Sequence, residues 1–121
     1  MCVPLNEQTR GLINESALAQ MPMGACLVNA ARGGLMDHQA LLRALSEGRL
    51  MAAGLDVFDQ EPLDPSSPLL SRKDVIATPH IAGVTDTSYR SIANALAENV
   101  HRLASGEPLE NCVNSDAVIQ G

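Results

Sequence analysis

The feature that most constrains the fold is an alternation of short apolar runs with amphipathic segments, joined by a few turn-forming residues at a time. Ala25-Cys26-Leu27-Val28-Asn29, Leu50 to Phe58 and Val75-Ile76-Ala77 are apolar without a two-residue alternation. That is the pattern of strands covered on both faces. The opening Met1-Cys2-Val3 is also apolar, stops at Pro4 and enters the polar, turn-rich Asn6 to Gly11, so it reads as the end of a strand running into a loop. Helical segments lie between the runs. Asn14 is placed to cap one over Glu15 to Gln20, with Glu15 at its positive end and Pro22 and Gly24 beyond it. Asp37 caps the next, in which Ala40, Leu41, Ala44 and Leu45 recur at helical spacing before Gly48 closes it. The last helix runs from about Asp86 to Ala104. Its Tyr89, Ile92, Leu96, Val100 and Leu103 step by three or four residues, and Gly106 and Pro108 end it.

Strand, helix, strand, helix, strand, helix with short connections implies right-handed crossovers and an α/β fold built on a parallel sheet. A chain of 121 residues suits one modest domain, and 45% hydrophobic residues give it a real but marginal core. With one Phe and one Tyr, that core has to be aliphatic, and aromatic stacking is excluded as its recognition chemistry. The formal net charge is −6 and the longest basic cluster is the pair Arg72-Lys73, which leaves no footprint for a nucleic-acid backbone. No stretch approaches about 18 consecutive apolar residues, and no basic region precedes an apolar one at the N-terminus, so neither membrane span nor signal peptide is read. The expectation is a soluble, cytoplasmic protein. Cys2, Cys26 and Cys112 are odd in number, far apart and without CxxC or His spacing. They are expected to be reduced, mostly buried small apolar residues, with no metal site.

In parallel sheets of this kind, ligands sit outside the carboxyl ends of the strands. The polar segments after the three runs should therefore converge: Asn29 to Arg32, Asp56 to Glu61, and Thr78 to Gly83. Arg32 follows a strand and precedes Gly33 and Gly34, whose lack of side chains lets a ligand approach the backbone. A guanidinium there can hold a carboxylate through two parallel hydrogen bonds. Taken singly, Arg32 reads as a surface salt-bridge partner, Glu61 as a solvated loop carboxylate and His80 as a structural histidine. Together they form an acid/base device at the mouth of a sheet, in which the carboxylate favours imidazolium. Such a histidine can protonate a carbonyl oxygen as hydride reaches the carbon, while the arginine fixes the adjoining carboxylate. That chemistry is reduction of a 2-oxo acid.

The run Met21 to Asp37, with Gly24-Ala25-Cys26-Leu27-Val28-Asn29-Ala30-Ala31-Arg32-Gly33-Gly34 at its centre, resembles the signature of the D-isomer-specific 2-hydroxyacid dehydrogenases. This is the family of phosphoglycerate dehydrogenase, formate dehydrogenase and glyoxylate/hydroxypyruvate reductase. Val3 to Asn14, then Gly54-Leu55-Asp56-Val57-Phe58 with Glu61-Pro62-Leu63, then Thr78-Pro79-His80-Ile81-Ala82-Gly83 resemble the family's other blocks in their usual order. The resemblance implies a partial Rossmann-type doubly wound parallel sheet, the C-terminal half of the NAD(P)-binding domain, over residues 1–85. It implies a crossover helix over 86–106 and a return segment of the substrate domain over 107–121. By the same resemblance Arg32 would bind the substrate carboxylate and carbonyl, His80 would donate and accept the proton, and Glu61 would hydrogen-bond the imidazole. NAD or NADP would be the cofactor. Val3, Pro4 and Thr9 would lie in the loop passing its adenosine and ribose, Ala30, Ala31 and Arg32 near the nicotinamide ribose, Asp56 and His80 beside the nicotinamide, and Gly83 near the carboxamide.

The sequence also departs from the pattern. No GxGxxG occurs in it, and neither does the strand-end residue that separates NAD from NADP. The expectation is therefore a C-terminal fragment, inactive or barely active alone, of a reductase acting on a small 2-oxo acid such as glyoxylate or hydroxypyruvate, a homodimer when full length. The alternative is a non-catalytic interaction module of the same fold, by analogy with the family's transcriptional corepressors.

Overall fold

The computed structural model describes residues 1–114, which form two compact units, Met1–Ala82 and a second beginning at Gly83. The expected return segment over 107–121 falls, from residue 115 on, outside the described residues.

In the first unit, α1 (Glu15–Gln20) starts where the Asn14 side chain accepts from the Ala17 N–H at 3.0 Å. Strand β1 (Ala25–Asn29) is followed by a single 3-10 turn, Gly33–Leu35, and then by α2 (His38–Ser46). The α2 cap is Asp37, whose Oδ1 accepts from the N–H groups of Gln39 and Ala40, both at 2.9 Å. Gly48, at φ 70°, closes the helix in a left-handed conformation that glycine adopts without steric cost. Strands β2 (Leu50–Leu55) and β3 (Val75–Ala77) complete a parallel sheet in the order β1-β2-β3.

The register sets the core. Leu27 pairs with Ala53 and Ala53 with Val75, while Asn29 pairs with Leu55 and Leu55 with Ala77. These rows share one face, and against it lie Ala40, Leu41, Ala44 and Leu45 of α2 with Leu18 of α1. Burial of each leucine contributes roughly 2 kcal/mol.

Four expectations need correction. Within the first unit the helices cover one face of the sheet; on the other, Val28, Met51 and Ile76 are 59%, 65% and 73% exposed. Both unit-one helices that flank the strands pack on the opposite face, which leaves this one bare. Strand β2 stops at Leu55, three residues before Phe58. Val57 and Phe58 are nevertheless buried, so the apolar run reported burial and not ladder pairing. Met1 to Val3 is not a strand; it touches the sheet through the terminal amine of Met1, which donates to Val28 O at 2.7 Å. Cys2 and Cys26 are exposed and Cys112 half-buried, because Cys26 lies on the bare face and the other two lie outside the core.

The second unit is dominated by α3 (Asp86–Ser105), opened by a capping box in which the Thr85 and Ser88 side chains each accept the other's backbone N–H. Gly106, at φ 71°, ends it. Arg102 ties its last turns to the following segment through Glu98 at 3.0 Å and Glu110 at 2.7 Å. The apolar stripe read in the sequence is present but open, with Tyr89, Ile92, Leu96, Val100 and Leu103 all 57% exposed or more. Among the described residues, no helix is long and apolar enough to cross a membrane.

Candidate active site

The loops after the three strands each bring one polar side chain to a common region. After β1, Asn29 is fully buried and folds the turn from within: its carbonyl oxygen accepts from the Ala31 N–H at 3.1 Å, and its amide donates to Arg32 O at 2.9 Å. Arg32 is thereby held in extended conformation with its side chain outward. Its Nη1 donates to Ala31 O at 2.6 Å, and it makes no ion pair among the described residues.

The glycine after Arg32 serves a purpose the sequence did not suggest. A Cβ built on Gly33 would lie 2.0 Å from Phe58 C, 2.1 Å from Phe58 O and 2.4 Å from Asp59 N. The close approach is by the 58–59 peptide of the protein itself, not by a ligand. Gly34 is less crowded, with Leu5 Cδ2 at 3.0 Å and Arg10 Nη1 at 3.2 Å from the same construction.

After β2, the Asp56 N–H continues the ladder to Asn29 O at 2.9 Å, and the buried Asp56 carboxylate reaches across to the loop after β3. Oδ1 accepts from the Thr78 hydroxyl at 2.5 Å and the Ile81 N–H at 2.9 Å, and Oδ2 from the Ala82 N–H at 2.8 Å. Burial alone would raise this carboxyl, but the Thr78 hydroxyl, the Ala82 and Ile81 N–H groups and His80 together hold it below the ordinary carboxylate range. The same loop carries His80 at φ 56°, in the left-handed region, with its N–H donating to Asp56 O at 2.8 Å. A non-glycine residue stays there only where its surroundings fix it. The Asp56 bonds to its neighbours on both sides supply that constraint.

Glu61 closes the arrangement. Its Oε1 accepts from the Phe58 N–H at 2.8 Å, and its Oε2 lies 2.8 Å from Nδ1 of His80. The bond with His80, then that from Phe58, lowers the Glu61 carboxyl against a smaller opposing effect of partial desolvation, so it is ionised at neutral pH and Nδ1 must carry the proton. Nε2 is left as the free ring nitrogen.

Arg32, Glu61 and His80 line one cavity of about 320 Å³, together with Leu5, Arg10 and Gly34. Glu61 and His80 also border a cavity of about 580 Å³ walled by Phe58, Leu63, Leu70 and Thr78. On the other side, Val3, Pro4, Ala30, Ala31 and Arg32 line a third, of about 600 Å³. Five of the residues assigned to a cofactor from the sequence thus meet around one space. Thr9 is not in that wall; its hydroxyl donates to Pro4 O at 2.7 Å and braces the loop from behind. Gly83 belongs to the second unit, where its carbonyl accepts from the Ser88 hydroxyl at 2.8 Å.

The charges around the smallest cavity are unevenly matched. Its two carboxylates are engaged, Glu61 by His80 and Asp59 by His38, whereas the guanidinium groups of Arg10 and Arg32 have no carboxylate partner among the described residues. In a chain of net charge −6, the cavity is a local concentration of positive charge. Sequence reasoning missed Arg10, the Thr78 bond to Asp56, and the His38–Asp59 pair. Arg10 and Thr78 stood inside segments with a family resemblance; His38 and Asp59 did not.

A parallel α/β sheet whose strand-end loops bring an imidazole–carboxylate pair and a guanidinium without a carboxylate partner among the described residues to one cavity has the groups that acid–base chemistry on an anionic molecule requires. The chain belongs to the D-isomer specific 2-hydroxyacid dehydrogenase family, whose NAD binding domain profile matches residues 1–82. It is 43% identical to glyoxylate/hydroxypyruvate reductase B of Yersinia pestis, covering 98% of this chain and 37% of that protein. It superposes on a D-isomer specific 2-hydroxyacid dehydrogenase from Xanthobacter autotrophicus, solved with NADPH and MES, with a TM-score of 0.80 and 41% identity over 96% of this chain and 47% of that one. The NADPH-dependent glyoxylate/hydroxypyruvate reductase of Sinorhizobium meliloti, solved with NADP and sulfate, gives a TM-score of 0.80 and 36% identity over 96% of this chain and 38% of that one. The chain spans little more than a third of the length of the curated relatives it matches.

Proposed function

We propose that this chain carries the acid–base residues of an NAD(P)-dependent dehydrogenase that interconverts a small 2-oxo acid, glyoxylate or hydroxypyruvate, and its D-2-hydroxy acid. The observation that carries the reading is the 2.8 Å contact between Glu61 and His80 in a cavity shared with Arg32. Arg32 binds the substrate carboxylate, two N–H groups to two oxygens, and so presents the adjoining carbonyl. Glu61 holds the His80 ring through Nδ1, so the proton passes between Nε2 and the carbonyl oxygen. Asp56 holds the loop on which that ring is mounted.

The fit of a dinucleotide is supported at the nicotinamide end, where Ala30 and Ala31 present no bulk to the cavity they share with Val3, Pro4 and Arg32. Asp56 and His80 would border the ring itself, and Thr9 would brace the loop along the ribose. A bound nicotinamide would supply or accept the hydride at the substrate carbon. The helix and tail over 86–106 and 107–121 would lead back to a substrate domain, and the full-length enzyme would be a homodimer.

In the full-length enzyme, His80→Ala lowers kcat for NAD(P)H-dependent reduction by on the order of 10³-fold. Arg32→Ala chiefly raises the KM of the oxo acid. Turnover unchanged by His80→Ala, or no reduction of either acid by the intact enzyme, overturns the reading. The 121-residue chain alone is expected to bind NADH weakly or undetectably by calorimetry, since its sequence holds no glycine-rich pyrophosphate loop. Sub-micromolar affinity would contradict that.

A further inference from the structure

A second imidazole–carboxylate pair stands behind the first. His38, the opening residue of α2, sets Nδ1 3.1 Å from Asp59 Oδ2 and lays its ring against Phe58, with centroids 6.1 Å apart and planes at 29°. The ring is largely enclosed, its side chain 14% exposed. Nε2 is buried and has no hydrogen-bond partner among the described residues. A nitrogen so enclosed cannot hand a proton to a substrate, so the pair is not a second acid–base centre.

Its partners show what it holds instead. Phe58 and Asp59 begin the turn that ends at Glu61, and the Phe58 N–H is the group that anchors Glu61 Oε1. The same 58–59 peptide packs directly on Gly33. The turn is therefore gripped by α2 through His38, by the 3-10 turn through Gly33, and by its own carboxylate, and beyond it lies His80 Nδ1. We propose that His38 and Asp59 are positioning residues, which fix the 58–61 turn so that Glu61 meets His80 and sets its tautomer. The consequence for turnover rests on the dehydrogenase reading; the coupling between the two histidines does not.

The test is a long-range ¹H–¹⁵N spectrum of the imidazoles in the 121-residue chain, taken at alkaline pH, where an ordinary imidazole is neutral. Three histidines are present, and each is assigned by its removal. In the wild type, His80 reads as the Nδ1–H tautomer. Asp59→Ala releases the turn, and the ratio of Nδ1–H to Nε2–H in His80 falls about fivefold, the worth of one exposed charged hydrogen bond. His38→Phe keeps a ring on Phe58 but loses the bond to Asp59, and moves the spectrum the same way. Asp59→Asn, whose amide oxygen still accepts from His38, restores the wild-type ratio, and Glu61→Ala marks the full extent of the change. Wild-type His80 spectra in folded Asp59→Ala and His38→Phe overturn the proposal. So does loss of the fold in both, which would make the pair a stabilising element and nothing more. In the full-length enzyme, Asp59→Ala lowers kcat with the cofactor KM unchanged. Intact turnover in Glu61→Ala would instead sink the dehydrogenase mechanism while leaving the tautomer result standing.

Discussion

Replacing Asp56 by Asn keeps the side-chain volume and removes one acceptor, and so isolates what the carboxylate does for the fold. Its two oxygens receive the Thr78 hydroxyl, the Ile81 N–H and the Ala82 N–H, all donors. An amide can keep its oxygen toward Thr78 and Ile81, but its NH₂ then faces the Ala82 N–H, donor against donor. The lost bond to a charged acceptor costs about 1.5–3 kcal/mol. The two surviving bonds fall from charge-assisted to neutral, which costs roughly 1 kcal/mol more together. Relaxation of His80 from φ 56° returns somewhat under about 1 kcal/mol, since histidine tolerates that region better than most residues. The net loss is about 2–3 kcal/mol, a large fraction of the roughly 5–15 kcal/mol that stabilises a small domain. Urea denaturation followed by far-ultraviolet circular dichroism at neutral pH would show it. With a slope of about 1 kcal/mol per molar urea, the midpoint drops by about 2–3 M. The folded Asp56 carboxyl lies below its ordinary value, so its contribution is complete above the ordinary carboxylate range and is lost as pH falls through the lowered value. The wild-type and Asp56→Asn curves must therefore converge in acid. A neutral-pH difference under about 1 M, or one that persists undiminished into acid, refutes the reasoning.

The adjacent glycines should respond very unequally to the same substitution. Gly33→Ala drives a methyl into the Phe58–Asp59 backbone, which cannot give way, and costs about 3 kcal/mol or more as a lowered thermal midpoint. Gly34→Ala meets only the ends of the Leu5 and Arg10 side chains and costs less than about 1 kcal/mol; equal losses at the two positions would contradict the packing described. Leu41→Ala, at a site with 0% exposure on α2, costs about 2–5 kcal/mol in the same melting experiment, and a loss under about 1 kcal/mol would mean that α2 is not seated on the sheet.

What could be read from the sequence was what depends on neighbours along the chain. Asn14 and Asp37 announced their helices because a cap is a contact within three residues, and Gly48 and Gly106 announced the ends because the left-handed conformation is a property of one residue. The meeting of Glu61 with His80 was legible because a parallel sheet sends all its strand-end loops the same way. The His38–Asp59 pair was not: its members are 21 residues apart and belong to no shared pattern. The capping box at α3 was hidden because Ser88 stands where a Glu or Gln would have signalled it. The end of β2 was misplaced because Val57 and Phe58 are as apolar as the strand before them and differ only in where their N–H groups point. The bare sheet face was misread for a related reason, since apolar composition says that a surface favours burial and not what covers it.

Asp56 and Glu61, both in the loop after β2, act on His80 directly in different ways, and neither can do the other's part. Asp56 acts on backbone: its acceptors go to amides and a hydroxyl around residue 80, and so decide where the ring is mounted. Glu61 acts on the ring itself, but only because both of its oxygens face donors, the Phe58 N–H on one side and His80 Nδ1 on the other. A glutamine at that position would offer one oxygen and one NH₂. It would have either to release Phe58 or to accept a ring with its proton moved to Nε2, where the proposed reaction also needs to place and remove one. A carboxylate meets both demands and leaves Nε2 free to cycle. Phe58 is held in turn by Gly33 and His38. The chemistry proposed at His80 would therefore depend on the packing of the 58–61 turn behind it, to which Gly33 and His38 contribute without supplying a reacting group.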